Sequence, residues 1–391
     1  MRAAPRLPER PPSRPLPPVL HLALKIALVI ERFEPDAGGV EGVAWTVAHG
    51  LARAGDEVHV LARRGTASPE VALHRLPVPA SWQPLRVLAF SRAAGARAAA
   101  LACDVVHSFS RTRHQDVYRA GGGSHADYLE RRHGRAGALL RRVSPRHAVL
   151  LGIERRVFAD RRQIVQCNSA MVESEIARRY GVARERLVVI HNGVDLERFH
   201  PRRRQGEGAR LREDLAAGGR PVWLLAGSGW RRKGLDTALR AVAAGGPDDA
   251  LLWVAGRDAP GPWQARAADL GLGARVRFLG LRRDMQAVYA AADALLLPTR
   301  YDAFANACLE AAASGLPLVT SAANGAAAPL AAGALVVERA DDAAGFAGAL
   351  DRLADPALRA RLGRAGRRAA EGLGWDAHLA ALRSLYRRVA R

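Results

Sequence analysis

The sequence predicts an α/β protein with two doubly wound parallel-sheet domains that face each other across a cleft. Three observations support this fold class. The chain has 391 residues, more than one hydrophobic core usually supports. Short apolar runs alternate with helix-like segments along most of its length, which is typical of parallel sheets. A turn-rich segment, HNGVDLERFHP at 191–201, divides the alternation into two series and is interpreted as the interdomain linker.

The first series begins after a proline-rich N-terminus. Residues 1–22 are rich in proline and arginine, so we expect them to be disordered. The apolar stretch that follows contains Lys25 and lacks a cleavage pattern, so it does not read as a signal peptide. A helix is predicted over 40–55, where Gly55 ends it. The predicted strands of this series are 23–30, 57–62, 104–109, 163–167 and 187–190.

The second series begins beyond the linker and repeats the strand and helix alternation without a detectable sequence repeat. From the valine pair at 336–337 onward the pattern is helical to the last residue. The predicted strands of this series are 221–227, 250–256, 276–280, 293–298 and 316–320.

The net charge of +21 suggests nucleic acid or an anionic membrane as a partner. Only Lys25 and Lys233 are lysines, so nearly all 59 basic residues are arginines, and a GC-rich genome explains much of that excess. The arginines are spread along the chain without a recognised nucleic-acid-reading module, so we expect no nucleic-acid partner. No apolar run reaches the roughly 18 residues of a membrane-spanning helix. The three cysteines lack metal-ligand spacing, and we expect small core residues in a reducing cytosol and no metal site.

The loop SGWRRKG (228–234) follows the first strand of the second series and leads into a predicted helix near Leu235. Its glycines, including Gly229, allow close backbone approach, the helix N-terminus offers free N–H groups, and Arg232 and Lys233 add positive charge. We count Ser228 and Gly229 with the two cations as candidate binding residues. Such a loop at a helix start can hold a diphosphate. Its spacing is not that of a Walker loop. The alternative is an ordinary solvated loop.

Two acids, Asp302 and Glu310, lie in YDAFANACLE (301–310), between two predicted strands. An acid/base pair is one interpretation, but eight helical residues would span about 12 Å. Glycoside hydrolysis requires roughly 5–9.5 Å between its carboxylates. We therefore expect each acid to accept hydrogen bonds from different hydroxyls of one extended ligand, with the amides of Phe304, Ala305 and Asn306 near an anionic group. For Glu310 alone, a capping or solvated role is the alternative.

Further candidates lie in the first domain. Gly38 and Gly39 precede its first helix and would face the same cleft, although a glycine pair is often only a turn and lacks the dinucleotide-binding spacing. Asp116 and His125 lie in the glycine-rich run QDVYRAGGGSHADY (115–128), and His107 ends a predicted strand. We count Asp116 and His125 as candidate catalytic residues, with a structural role as the alternative for each.

The segment 129–162 contains ten arginines and apolar residues at helical spacing, and Ser144-Pro145 marks a helix start. A basic amphipathic helix pair can lie on an anionic membrane. An ordinary surface helix in an arginine-rich protein is the alternative.

Taken together, residues 24–391 resemble the retaining glycosyltransferases of family 4, which have the GT-B fold. The resemblance rests on Gly38-Gly39, the linker segment 191–201, Arg232-Lys233-Gly234, 276–280, 289–299 and the two acids that precede SGLPLVT (314–320). SGWRRKGLD (228–236) and QDVYRAGG (115–122) look most like the bacterial lipopolysaccharide core glucosyltransferases of that family.

The resemblance implies two Rossmann-like domains, an acceptor domain at 23–198 and a nucleotide-sugar domain at 199–372. It also implies that residues 373–391 form a helix crossing back to the first domain. Arg232 and Lys233 would bind the donor diphosphate, Glu310 the ribose, and Asp302 the hydroxyls of the transferred sugar, aided by the 303–306 amides. Most members have Glu where this chain has Asp302. The family's first-domain histidine is assigned to His125.

The predicted function is transfer of a hexose from a nucleotide sugar, expected to be a UDP-sugar, to a lipopolysaccharide-core or other envelope saccharide or lipid. The configuration would be retained without a protein nucleophile or a cofactor. We expect the chain to work in the cytoplasm at the inner face of the cell membrane, in contact with it through 129–162. The alternatives are a GT-B epimerase or phosphorylase, or a basic nucleic-acid-binding protein.

Overall fold

The computed structural model describes residues 23–35, 39–79 and 82–391. The predicted disordered tail, residues 1–22, lies outside the described residues. Two parallel sheets, one of seven strands and one of six, form the framework of the described chain. The predicted fold class of two doubly wound domains is thereby confirmed.

The first sheet orders its strands so that the chain starts near the middle and winds outward in both directions. Its strands are β1 (Lys25–Phe33), β2 (Glu57–Gly65), β3 (Ala72–Arg75), β4 (Val105–Ser108), β5 (Val117–Arg119), β6 (Ile164–Cys167) and β7 (Leu187–Val189). Their spatial order is β3-β2-β1-β4-β5-β6-β7. The order reverses between β1 and β4, and ligands bind at the C-terminal ends of strands at such a reversal. The accompanying helices are α1 (Val40–Arg53), α2 (Gln83–Leu101), α3 (His125–Arg141), α4 (Pro145–Ala159) and α5 (Ala170–Tyr180).

The second sheet repeats this topology with the spatial order β10-β9-β8-β11-β12-β13, reversing between β8 and β11. Its strands are β8 (Val222–Ala226), β9 (Leu251–Ala255), β10 (Val276–Gly280), β11 (Ala294–Leu297), β12 (Leu318–Ser321) and β13 (Ala334–Val337). The helices that follow the linker are α6 (Glu207–Asp214), α7 (Trp230–Lys233), α8 (Leu235–Ala244), α9 (Gly261–Asp269), α10 (Met285–Ala291), α11 (Asn306–Ala313), α12 (Ala343–Arg352), α13 (Pro356–Glu371) and α14 (Trp375–Val389).

The central strands are buried on both faces, which explains why they read as continuous apolar runs. All residues of β8, β9 and β11 are buried, and together they form the middle of the second core. In the first sheet the same holds for Ile26–Ile30 of β1. Strands β3 and β5 were not predicted, because ALHR and VYR show neither a continuous apolar run nor a readable alternation. Strand β13 was noted only as the valine pair at 336–337.

The C-terminal helix α14 returns to the first domain, as the resemblance implied. Leu382, Leu385 and Tyr386 are buried in the first-domain core. The Tyr386 hydroxyl lies 2.6 Å from Nδ1 of His107. His107 is completely buried, and burial lowers its pKa well below the ordinary value, so its ring is neutral. This histidine therefore has a structural role.

The basic segment 129–162 forms α3, a short turn and α4, and the predicted helix start at Ser144-Pro145 is confirmed. Ile153, Val157 and Phe158 pack into the first-domain core, so this apolar face of α4 is not available to a membrane. Other apolar side chains are exposed at the turn between the helices: Leu139 by 64%, Leu140 by 76% and Val143 by 80%. Among the residues that the structure describes, no helix is both long and apolar enough to cross a membrane.

Candidate functional site

The loop after β8 and the loop after β11 meet at the reversal point of the second sheet. The first of these loops contains the single-turn helix α7, between Gly229 (φ 80°) and Gly234 (φ 81°). Both are left-handed conformations that glycine adopts without strain. A Cβ atom on Gly234 would collide with the carbonyl group of Pro298. This close approach places the side chains of α7 against the segment that follows β11.

Arg232, Lys233 and Asp302 form one ion cluster there. Asp302 Oδ2 accepts hydrogen bonds from Lys233 Nζ at 2.6 Å and from Arg232 Nη1 at 3.0 Å. Burial alone would raise the pKa of Asp302, but the ammonium and guanidinium groups together hold that pKa below its ordinary value. Lys233 is only 7% exposed. Two cations and one carboxylate leave a net positive charge, which suits a polyanionic ligand such as a diphosphate.

The two oxygens of Asp302 have different surroundings. Oδ2 holds both cations, whereas Oδ1 has no hydrogen-bond partner among the described residues. Backbone bonds fix the residue on both sides, because Asp302 N donates to Ala323 O and Gly325 N donates to Asp302 O. One carboxylate can therefore position the cations and still accept a ligand hydroxyl.

Glu310 lies on α11 and has a different environment from Asp302. Its Oε2 accepts a hydrogen bond from the Tyr289 hydroxyl at 2.8 Å, and it forms no ion pair with any described residue. Burial raises its pKa above the ordinary value of 4.5, although the Tyr289 bond acts in the opposite direction. The helix begins only at Asn306, so the estimate of a fully helical separation between the two acids does not apply. Asp302 and Glu310 nevertheless have different partners, which is consistent with separate roles for the two acids.

The amides predicted to hold an anion are only partly available. Ala305 N donates to Asn324 Oδ1 at 3.2 Å. The backbone N–H groups of Phe304 and Asn306 have no hydrogen-bond partner among the described residues. The Phe304 ring stacks on the ring of His191, with centroids 5.5 Å apart.

Asp258 is a residue that the sequence reasoning missed. Its carboxylate accepts from Gly229 N at 2.7 Å and from Trp230 N at 3.1 Å. The Gly229 amide is therefore already engaged by Asp258 and is not free to donate to a ligand in this structure. The Ser228 hydroxyl oxygen likewise accepts from the amide of Arg257. What this loop brings to the cluster with Asp302 is therefore the side chains of Arg232 and Lys233, not the Gly229 amide.

The first-domain candidates are distributed differently. Gly38 lies outside the described residues, and Gly39 precedes α1 with φ 74°. His125 is buried at the start of α3, where its ring Nε2 lies 2.9 Å from Nδ1 of His147. Burial, with Arg111 and His147, lowers its pKa to about 3, so the ring is neutral at physiological pH and does not act as a charged ligand group.

The structure places Asp116 away from the cleft. It precedes β5 and so lies at the N-terminal ends of the strands, opposite the ends that bind ligands. There its carboxylate accepts hydrogen bonds from Val106 N at 2.8 Å and from Arg391 Nη2 at 2.6 Å. The prediction of a catalytic role therefore needs correction. The residue at the C-terminal end of β5, which faces the cleft, is Arg119.

The two domains touch at the loop that carries Asp302. The Ser169 hydroxyl donates to Ala303 O at 2.7 Å, and the Tyr301 hydroxyl donates to Glu175 at 3.0 Å. Gly123, with φ 70°, lies so close to the Tyr301 hydroxyl that a Cβ atom there would collide with it. A cavity of about 500 Å³ between the domains is lined by Arg232, Asp258 and Tyr301 from one side and by Tyr128 and Arg131 from the other.

A hydrogen-bonded chain also links the domains. Arg119 Nη2 donates to Asn192 Oδ1, and Asn192 Nδ2 donates to Asn306 Oδ1, both at 2.6 Å. Asn192 belongs to the segment that was interpreted only as a linker. The sequence feature that could have indicated this role is the turn HNG (191–193), because it puts the polar side chain of Asn192 between the two predicted sheets.

Comparisons with known proteins agree with this architecture. The family model described as Glycosyltransferase Family 4 matches residues 37–198, and that described as Glycosyl transferases group 1 matches residues 220–355. A probable transglycosylase of Burkholderia thailandensis is 30% identical over 340 residues, which cover 85% of this chain and 88% of that protein. The chain belongs to the GT-B glycosyltransferases.

Other curated relatives match over shorter stretches. A D-inositol 3-phosphate glycosyltransferase of Streptomyces avermitilis is 32% identical over 56% of this chain and 50% of its own length. The lipopolysaccharide glucosyltransferase WaaG of Escherichia coli is 27% identical over 56% of this chain and 59% of its own length. The matched part of the chain thus spans 50% and 59% of the length of these two relatives.

Solved structures share the fold over most of the chain. The crystal structure of WaaG, a glycosyltransferase involved in lipopolysaccharide biosynthesis, has a TM-score of 0.78 at 24% identity and covers 90% of this chain and 98% of that one. Anabaena HepE in complex with UDP and glucose has a TM-score of 0.71 at 18% identity, with coverages of 93% and 99%. At these identities the likeness shows the two-domain GT-B fold.

Proposed function

We propose that this chain transfers a hexosyl group from a nucleoside diphosphate sugar to a saccharide or glycolipid acceptor, with retention of the anomeric configuration. The observation that carries the proposal is the cluster of Arg232, Lys233 and Asp302 at the reversal point of the second sheet. A UDP-hexose is the proposed donor. The solved HepE complexes with UDP and glucose support this choice by analogy of fold.

Each residue of the site has a proposed part in binding the donor. Arg232 and Lys233 hold the diphosphate, so that charge compensation comes from side chains and not from a resident metal ion or cofactor. Glu310 accepts from the ribose hydroxyls, and Asp302 Oδ1 accepts from a hydroxyl of the hexose. The free amides of Phe304 and Asn306 lie beside the phosphates at the start of α11, where backbone N–H groups favour an anion.

The proposed reaction needs no protein nucleophile. The bond between the anomeric carbon and the phosphate oxygen breaks, and the acceptor oxygen forms its bond to that carbon on the same face. The acceptor proton passes to the departing phosphate oxygen. Arg232 and Lys233 stabilise the negative charge that grows on the leaving group. The contacts of Glu310 with the ribose and of Asp302 with the hexose orient the donor.

A panel of nucleotide sugars tests the donor proposal. Calorimetric titration should find at least one UDP-hexose that binds, and mass spectrometry should detect nucleotide release that depends on an added saccharide acceptor. Binding by no nucleotide sugar would overturn the proposal. Product formation without a saccharide acceptor would indicate a GT-B epimerase or phosphorylase instead.

We further propose that the chain acts at the cytoplasmic face of an anionic membrane and that an envelope glycan or lipid is its acceptor. The exposed apolar turn residues Leu139, Leu140 and Val143 are flanked by Arg141 and Arg142. In interfacial membrane anchors, apolar side chains enter the boundary of the acyl chains, and neighbouring cations contact the anionic headgroups. The WaaG relative, by its name, acts on lipopolysaccharide.

Vesicle sedimentation distinguishes this surface from an ordinary basic one. Replacing Leu139, Leu140 and Val143 with serine should release the protein from vesicles that contain anionic lipid, as should removing the charge of Arg141 and Arg142. Replacing the exposed Arg155 and Arg156 on α4 serves as the matched control and should have a smaller effect. Unchanged binding by the serine variant would contradict the proposal.

A further inference from the structure

A second cavity, of about 370 Å³, lies at the C-terminal ends of β1, β4 and β5 in the first domain. It opens beside Gly121–Gly123, the loop that contacts Tyr301 next to Asp302. This placement suits the acceptor of the proposed transfer. The charged residues that line the cavity are Glu31, Arg32, Glu41, Arg86, Arg111, Arg119 and Arg146.

The carboxylates of this cavity are already engaged. Glu41 binds Arg32 at 2.9 Å. Glu31 lies 3.2 Å from both Arg63 and Arg86. Neutral saccharides are commonly held by free acceptor groups that take hydrogen bonds from hydroxyls. The described part of this cavity offers no unpaired carboxylate for that purpose.

The cations of the cavity are in excess. Arg119 is only 4% exposed, and no described carboxylate lies within ion-pair distance of it. Its single hydrogen bond to a described residue goes to Asn192, its Nε atom is buried without a partner, and the Phe109 ring lies 5.4 Å away. Burial of a guanidinium without a carboxylate is costly, so a ligand anion would compensate it.

Two further arginines of the cavity, Arg111 and Arg146, lack a close carboxylate that is free to compensate their charge. The nearest acid to Arg111 is Glu154, at 4.0 Å. The Glu154 carboxylate already accepts hydrogen bonds from the amides of His125 and Ala126 and from the Tyr180 hydroxyl. Arg111 Nε is buried without a partner. Arg146 lines the cavity from α4 and forms no ion pair with any described residue.

We propose that the acceptor carries a phosphate group and that Arg111, Arg119 and Arg146 bind it in this cavity. The inference rests on the proposed transferase function and names the chemical class of its acceptor. Guanidinium forks bind phosphate oxygens in pairs, which supplies direction as well as charge. Held there, the acceptor presents a hydroxyl across Gly121–Gly123 toward the donor site.

Calorimetry with glucose 6-phosphate as the probe, and glucose as its uncharged counterpart, tests the inference. The wild-type chain should bind glucose 6-phosphate and not glucose. The Arg111→Gln/Arg146→Gln double variant should weaken this binding by about tenfold or more, as expected for lost hydrogen bonds to a charged group. Arg119→Gln should weaken it further, but because that residue is buried, the double variant decides the outcome if the third variant fails to fold.

Two control variants separate this site from the donor site and from general charge effects. Arg92→Gln removes an exposed cation outside the cavity and should leave glucose 6-phosphate binding unchanged. Lys233→Ala should likewise leave it unchanged while weakening nucleotide-sugar binding. Loss of glucose 6-phosphate binding in Lys233→Ala, no effect of the double variant, or no binding at all would each overturn the inference.

Failure of the two proposals is distinguishable. If UDP-hexoses bind but the Arg111→Gln/Arg146→Gln variant binds glucose 6-phosphate as the wild type does, the acceptor inference is wrong and the transferase proposal stands. If the double variant loses glucose 6-phosphate binding but no nucleotide sugar binds the wild type, the phosphate site stands and the donor proposal fails.

Discussion

Asp302 shows how one short side chain can serve two purposes at the donor site. Its Oδ2 neutralises part of the charge of Arg232 and Lys233, and its Oδ1 remains available. A glutamate at this position would place its carboxylate one methylene farther from the backbone. The ion cluster and the sugar contact are therefore coupled at the level of this single residue.

Removal of the Asp302 charge should separate binding from transfer. In Asp302→Asn, Arg232 and Lys233 lose their counter-ion, so affinity for inorganic pyrophosphate should rise by about threefold to tenfold. Transfer from a UDP-hexose should fall by about a hundredfold or more, because the hexose is no longer oriented. Calorimetry and nucleotide-release assays measure the two effects. Weaker pyrophosphate binding would contradict the arrangement.

Glu310 should make donor binding dependent on pH. Its ionised form is needed to accept from ribose hydroxyls, and burial raises its pKa. Donor affinity should therefore be full above that raised pKa and fall as pH decreases through it, at a higher pH than for an ordinary glutamate. Glu310→Gln should weaken the binding of a UDP-hexose by about tenfold and remove this part of the pH dependence. An unchanged profile in the variant would assign the titration to another group.

At the scale of elements, the reversal point of the second sheet was readable from the sequence, whereas its long-range partners were not. The loop 228–234 and the acids at 302 and 310 follow apolar strands, so order along the chain placed them together. Asp258 and Asn324 reach their positions only through folding, and nothing local marks them. Asp116 was misplaced because β5 has three residues, too few to show which end of the strand faces the cleft.

Gly234 should be the least replaceable residue of the donor loop. Gly234→Ala combines a left-handed backbone with a collision against Pro298, so unfolding free energy should fall by about 1–3 kcal/mol. Nucleotide-sugar binding should weaken as Lys233 shifts. Gly348→Ala, inside α12 with open space around its Cβ position, is the matched control and should be neutral or slightly stabilising. Denaturant unfolding of both variants measures the difference, and equal stabilities would contradict this reading.

For the whole molecule, the charge of +21 is only partly a binding signal. Many arginines serve the fold by donating to backbone carbonyls. Arg367 Nη1 donates to Ala313 O at 2.7 Å and to Phe199 O at 2.9 Å, and Arg212 donates to Ala291 O and Arg220 O. The excess that remains at the two cavities and at the turn between α3 and α4 is what we associate with anionic ligands. Composition alone could not separate these uses.

Helix α14 should contribute to the stability of the first domain although it lies at the end of the chain. Leu382→Ala removes a fully buried side chain from that core, at an expected cost of about 2–5 kcal/mol. Leu281→Ala, at a position 60% exposed, should change stability by about 0.5 kcal/mol or less. Thermal and denaturant unfolding compare the two variants. A cost for Leu382→Ala no greater than for Leu281→Ala would show that the helix does not secure the first domain.

The most direct test of the donor site is a calorimetric titration of the wild type, Lys233→Ala and Arg92→Gln with the same UDP-hexose. We predict binding by the wild type, about tenfold or greater weakening in Lys233→Ala, and an unchanged affinity in Arg92→Gln. Equal affinity in all three proteins would contradict the assignment of the diphosphate to the cluster of Arg232, Lys233 and Asp302.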